Sequence, residues 1–163
     1  MPFRRFIVEG SPTTLPKFEQ TLFTPFTTIL QQDIDRELTP SLPHFLFYIF
    51  VLEYIPYVFQ VLAQMLDLHS TGEVPPEYRN LLPFLFTPAI WQQKGSIPGL
   101  VKLLKTFLGR DATQMFAAGQ IASVLAVVQQ RLIPSKVNDA WGFELIQSVV
   151  LNVKPFVKLS LVF

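Results

Sequence analysis

The string IPYVFQVLAQML at residues 55–66 returns as IPGLVKLLKTFL at residues 97–108, an offset of 42 that keeps Ile, Pro and two Leu. Another 42 residues on, Leu104, Phe107 and Leu108 become Ile146, Val149 and Val150. The following segments keep the same offset, since Leu82, Leu85, Phe86 and Ile90 map onto Val124, Val127, Val128 and Leu132. A chain that repeats itself at this interval is built from like units, and each unit needs a neighbour to cover its apolar face.

The units are helical. Val58, Val61, Leu62, Met65 and Leu66 recur at helical spacing, as do Leu100, Val101, Leu104, Phe107 and Leu108. Further stripes run through Ala118, Ile121, Ala122, Leu125 and Val128, and through Leu145, Ile146, Val149, Val150 and Val153. Turn signals separate them at 70–77, 94–99, 108–113 and 134–139. No strand-like alternation between hairpin turns is present. The pattern predicts helices near 15–33, 55–69, 77–93, 97–109, 113–133 and 139–152, with Pro83 and Pro88 bending or interrupting the third. Leu62, Leu66, Leu85, Leu104, Leu108, Ile121, Leu125, Ile146 and Val150 are the expected core. A period near 42 with two helices per unit lies in the range of HEAT and armadillo repeats, roughly 40–47 residues. The expected fold is all-α, a HEAT-repeat α-α superhelix (solenoid), with residues 1–163 forming part of such a solenoid.

Half the residues are hydrophobic and 15% are charged, against about 25% in ordinary soluble domains. Such a chain suits a membrane segment, or a piece whose neighbours cover it. A net charge of +1 gives no footprint for nucleic acid. There is no cysteine, hence no disulfide framework, thiolate metal site or Cys nucleophile. The N-terminal MPFRRFIVEGSPTT has too short an apolar run for a signal peptide.

The most apolar stretch is Leu42–Leu66, with one acid, Glu53, and no Lys or Arg. A small membrane-associated helical protein anchored by 42–66 is the alternative to the solenoid, and detergent partitioning separates the two. Against the anchor, a span needs about 20 apolar residues, and the longest clean run is Phe45–Leu52. Pro43 and Pro56 disfavour a regular helix there, and from Glu53 onward the residues belong to a repeated unit. No membrane insertion is expected.

Little points to catalysis, and the expectation is that the chain is not an enzyme. The two histidines, His44 and His69, lack a metal-ligand partner three or four residues away. No GxSxG, GxGxxG or GxxxxGK string occurs, and no cofactor is implied. The DID at 33–35 reads as solvated acids past a helix end, and Lys102 and Lys105 as a solvent face. What remains is a polar edge on the second helices, with Gln pairs at 31–32, 92–93 and 129–130. Second helices of solenoid units line the concave, partner-binding face. Gln92, Gln93, Lys94, Gln130, Arg131 and Lys136 are therefore the candidate partner-binding residues.

The strings FEQTLFTPFTTILQQDI, EYIPYVFQVLAQMLDLH, VPPEYRNLLPFLFTPAIWQQKGSIPGLVKLLKTFL and RLIPSKVNDAWGFELIQSVV, in that order, resemble the CAS-type exportins of the importin-β (karyopherin) superfamily. The resemblance covers roughly Arg5 to Val153 and implies a fragment of the family's C-terminal half. It implies nuclear export: binding importin-α together with the GTP form of the small GTPase Ran, and shuttling between nucleus and cytoplasm through the nuclear pore. On this resemblance the isolated fragment is expected to bind Ran·GTP weakly, and importin-α no better.

One departure concerns register. TTILQQ (27–32) matches PAIWQQ (88–93) at an offset of 61 rather than 42, and the family joins its QQD-I and Y-I-P-Y strings almost directly. About 17 residues are in excess here. Residues 35–52 are thus expected to be a non-family insert, possessing the length of a frame-preserving translated intron. The tail KPFVKLSLVF (154–163) also leaves the family pattern.

Overall fold

The computed structural model describes residues 14–32, 42–69 and 74–160. They form helices α1 (Thr14–Gln32), α2 (Leu42–Leu68), α3 (Pro76–Arg79), α4 (Leu82–Leu85), α5 (Ile97–Ala117), α6 (Gln120–Val127) and α7 (Asp139–Ser160). Two 3-10 turns, Pro88–Gln92 and Lys94–Ser96, separate α4 from α5, and a π turn, Val128–Leu132, continues α6. No strand occurs among the described residues. The fold is all-α, as the repeat requires.

The first helices of successive units, α2, α5 and α7, lie side by side with α5 in the middle. Their buried residues follow the predicted stripes. Val58, Leu62, Met65 and Leu66 of α2 are buried, as are all five of Leu100, Val101, Leu104, Phe107 and Leu108 in α5. Burying a side chain of this size contributes about 1.5–3 kcal/mol, so these facing stripes dominate the stability of the stack.

The second helices depart from smooth rods, each for a local reason. Over 77–93 the chain breaks into α3, α4 and a 3-10 turn. Pro76, Pro83 and Pro88 each sit in the first turn of a new piece, where a missing N–H costs nothing. The Trp91 indole N–H donates to the Leu85 carbonyl at 2.8 Å, holding the last piece against the one before. In the next unit α5 does not stop at Gly109. It kinks at Asp111 (φ −138°, ψ 27°) and runs on to Ala117. The predicted 113–133 helix is instead divided at Gly119, whose φ of +71° is a left-handed conformation that glycine adopts without steric cost. On α6 the predicted stripe holds at Ile121 and Val128, which are buried, but not at its other positions. Val124, Val127 and Val128 are buried, whereas Leu125 is 42% exposed and Ala118 and Ala122 face solvent. On α7, Leu145, Val149 and Val153 are buried and Ile146 half-buried, but Val150 is 54% exposed.

The α2–α5 crossing is close. A Cβ built on Gly99 would lie 2.9 Å from the Pro56 carbonyl oxygen and 3.0 Å from Phe59 Cβ. Gly99→Ala is therefore expected to lower stability, because overpacking costs about 1–3 kcal/mol against the roughly 1 kcal/mol that alanine gains in helix propensity. A higher urea midpoint for this variant would show that the helices can separate here.

The expected start of α2 near Ile55 is corrected. The helix begins at Leu42 and passes through Pro56. Residues 33–41, which include the DID string, lie outside the described residues, as do the side chains of 42–53, His44 among them. Among the described residues no helix is long and apolar enough to cross a membrane. The second half of the Leu42–Leu66 stretch is core: Ile55, Val58, Phe59, Leu62, Met65 and Leu66 are each at most 4% exposed. Anchoring 42–66 in a bilayer would pull these residues out of the stack.

Candidate functional site

Three groups of polar contacts, centred on Glu19, Arg110 and Arg79, lace the helix pairs together. Glu19 on α1 accepts a hydrogen bond from the Tyr78 hydroxyl at 2.7 Å and pairs with His69 Nε2 at 2.6 Å. Phe23 stands edge-on to the Tyr78 ring, centroids 4.7 Å apart. Arg110, at the end of the straight part of α5, donates to the Asp67 carbonyl at 2.6 Å and to the His69 carbonyl. Arg79 pairs with Asp111 at 3.1 Å, reaches Gln114 and donates to the Val74 carbonyl. The Asp111 kink thus lies where its carboxylate meets the preceding unit. Helix ends leave carbonyls without intrahelical partners, and Arg110 takes up that of Asp67 at the end of α2. This seam fastens the units and offers no nucleophile beside a free base.

Burial in first place, then the hydrogen bond to Glu19, raises the Tyr78 hydroxyl well above the ordinary tyrosine range. The unfolded chain would release this proton near pH 10 while the folded chain retains it. The contribution is therefore complete below that pH and falls as pH rises above it. Tyr78→Phe is expected to flatten the alkaline limb of a plot of unfolding free energy against pH. An unchanged limb would show that Tyr78 does not couple folding to its proton.

The six candidate partner-binding residues lie along the edge formed by the ends of the second helices. Gln92 ends one 3-10 turn and is exposed; Gln93 is half-buried and accepts from the Ser96 hydroxyl at 3.4 Å; Lys94 opens the next turn, exposed. Gln130 and Arg131 are exposed on the π turn, and Lys136 is exposed in the link to α7. Lys94 and Lys136 are 42 residues apart and so occupy the same place in adjacent units. Gln31 and Gln32 have side chains outside the described residues.

On the layer of first helices, Gln60, Pro98, Val101, Lys102, Lys105, Trp141 and Glu144 line an open groove with a volume of about 280 Å³. Lys102 is exposed as expected, whereas Lys105 is half-buried and bonds Glu144 at 2.8 Å. Among the described residues no group of three or more His, Asp or Glu could hold a metal. The polar seam was not visible in the sequence. Arg79 lies 35 residues from Gln114, and Arg110 lies 41 and 43 residues from His69 and Asp67, and only the 42-residue offset hints at such neighbours.

The profile of the family described as "CAS/CSE protein, C-terminus" matches residues 3–159. The chain is similar to Exportin-2 of Xenopus laevis, 38% identical over 148 residues, covering 90% of the chain and 13% of that relative. It is likewise similar to Exportin-2 of Homo sapiens, 37% identical over 153 residues, covering 93% of the chain and 14% of the relative. No solved structure matches the chain. A match running across nearly the whole chain, on an all-α stack of 42-residue units, places it in a family: the chain belongs to the CAS/CSE proteins and carries sequence of their C-terminal region.

Proposed function

We propose that the chain is part of a nuclear export receptor that binds importin-α together with Ran·GTP and returns importin-α from nucleus to cytoplasm. It works by protein binding without catalysis, cofactor, nucleic acid or membrane insertion. The observation that carries this reading is the similarity to Exportin-2 over 90% of the chain. The architecture agrees with it, because stacked helix pairs make extended partner surfaces. Gln92, Gln93, Lys94, Gln130, Arg131 and Lys136 form the proposed contact edge, three cations and three amides suited to an acidic partner.

The test grafts the chain into Xenopus laevis Exportin-2 in place of the matching segment. The chimera should capture importin-α with Ran·GTP and not with Ran·GDP. Lys94→Glu combined with Arg131→Glu should weaken capture about tenfold and reduce its salt dependence. Capture independent of the nucleotide would contradict the function, and unaltered capture by the double variant would contradict the edge. The 163-residue chain alone should bind Ran·GTP weakly and importin-α no better.

The same reading takes residues 35–52 as an insert outside the family's working fold. Pro56 supports it. Its repeat equivalent, Pro98, is the second residue of α5, the place where a helix begins. Pro56 instead lies well inside α2, where proline removes a backbone bond at about 3 kcal/mol. A helix that starts at Ile55 has its proline where proline belongs; the residues before it were added to a finished helix. Deleting 35–52 should raise solubility and leave the remaining helical content in place. Unfolding of the deletion variant would show the segment to be part of the fold.

A further inference from the structure

His69, Asp111 and Val153 stand 42 residues apart and so occupy one position of the repeat, at the end of α2, at the kink of α5 and within α7. At that position His69 is held by Glu19 of α1 at 2.6 Å, and Asp111 by Arg79 of α3 at 3.1 Å. Each clasp reaches from the second helix of one unit to the first helix of the next. In the 61-residue register of α1, Glu19 falls on Asn80, beside Arg79, so the two clasps are built at the same place from different residues. At the third junction the equivalents of Arg79 and Asp111 are Ile121 and Val153, both buried in the core. Arg110 follows the same rule. It bonds the Asp67 and His69 carbonyls at the end of α2, whereas its equivalent, Asn152, donates to Ser148 in its own helix. The Lys105–Glu144 pair does span α5 and α7, but its side chains are 41% and 45% exposed, and such pairs contribute little.

We propose that this position is the clasp of each junction and that its chemistry decides where the stack opens. The ionic clasps Glu19–His69 and Arg79–Asp111 are releasable, and the apolar junction at Ile121 and Val153 is fixed. Charged groups that part regain their hydration, which offsets much of the attraction they lose. Exposing Ile121 and Val153 forfeits the hydrophobic contribution with nothing in return. The clasps are also within reach of water, since the Arg79 side chain is 35% exposed and that of His69 19%. The chain therefore has an opening side, α1 and α3, and a closed side, where α5, α6 and α7 stay together. Such a device depends on the repeat register and these contacts, and not on the export reading.

Hydrogen exchange of the 163-residue chain, resolved by peptide, tests this with three variants. Arg79→Ile takes the cation from Asp111, and Asp111→Val takes the acid from Arg79. Each should speed exchange of 76–85 about tenfold. The double variant, which gives this junction the residues of the third, should return 76–85 to the original rate or slower. Amides of 139–153 should keep their rate in all three. Raising salt from about 0.05 to about 0.5 M should speed 76–85 in the unaltered chain and not in the double variant. A double variant that opens as far as the single ones would overturn the proposal, because the position would then follow no common rule. So would exchange of 139–153 in step with 76–85, which would mean one block with no opening side. Should a single variant fail to fold, the salt series on the unaltered chain decides: exchange of 76–85 that ignores salt contradicts a clasp made of charges.

Discussion

Replacing Trp91 by alanine is expected to lower stability by about 3–5 kcal/mol, a large share of the roughly 5–15 kcal/mol that holds a domain of this size together. The side chain is 4% exposed, and its indole N–H donates to the Leu85 carbonyl. That carbonyl ends α4, where the helix gives way to the turn that starts at Pro88. Trp91 therefore both fills the core and ties together a second helix that prolines have cut into pieces. Trp91→Phe should lose less, about 1 kcal/mol for the hydrogen bond plus the smaller volume. Urea unfolding followed by far-UV circular dichroism separates the three proteins. If the alanine variant lost less than about 1 kcal/mol, Trp91 would not be the fastening of this unit.

Leu104→Ala is the second large effect, at about 2–5 kcal/mol. Leu104 is fully buried in the middle of α5, the helix flanked by both α2 and α7. A cavity there faces helices already fixed by the close approach at Gly99 and by the Arg110 bonds to the end of α2, so it cannot collapse cheaply. Leu104→Met conserves volume and should cost under about 1.5 kcal/mol. If alanine and methionine behaved alike, the assigned register of α5 would be wrong.

These sites also show what could be read from the residues alone. The stripe of α5 was legible in full because neighbours cover it on both sides, so helical periodicity and burial coincide. Pro83 and Pro88 gave away the interrupted second helix, since a missing donor has the same consequence in any context. Leu125 and Val150 were read as core and are exposed for different reasons. Leu125 lies at the margin of the buried face of α6, whose centre is Ile121, Val124 and Val128, and periodicity alone does not set how wide the covered face is. Val150 keeps the core register but has no described helix beyond it. Around Pro56 the sequence points both ways: the proline argues for a helix start near Ile55, while the run of Leu, Phe and Ile permits a helix from Pro43, and the helix observed from Leu42 follows the second. The seam of Glu19, His69, Tyr78, Arg79, Arg110 and Asp111 was hidden because long-range pairing of lone charges leaves no local pattern. For the six candidate partner-binding residues the sequence supplied residue types and repeat positions, and the structure adds that five of the six are exposed.

Hydrogen exchange along the chain, resolved by peptide, tests the central claim of a 42-residue repeat most directly. If Ile55 and Ile97 open equivalent units, amides of 58–66 and 100–108 should be the slowest and exchange together, since they share one core. If the proposed insert is right, amides of 42–54, before Pro56, should exchange orders of magnitude faster, as a helical extension that is no part of a cooperative core opens locally at little cost. Equal, slow exchange on both sides of Pro56 would contradict the account, because α2 would then be one cooperative element and its first half part of the working fold.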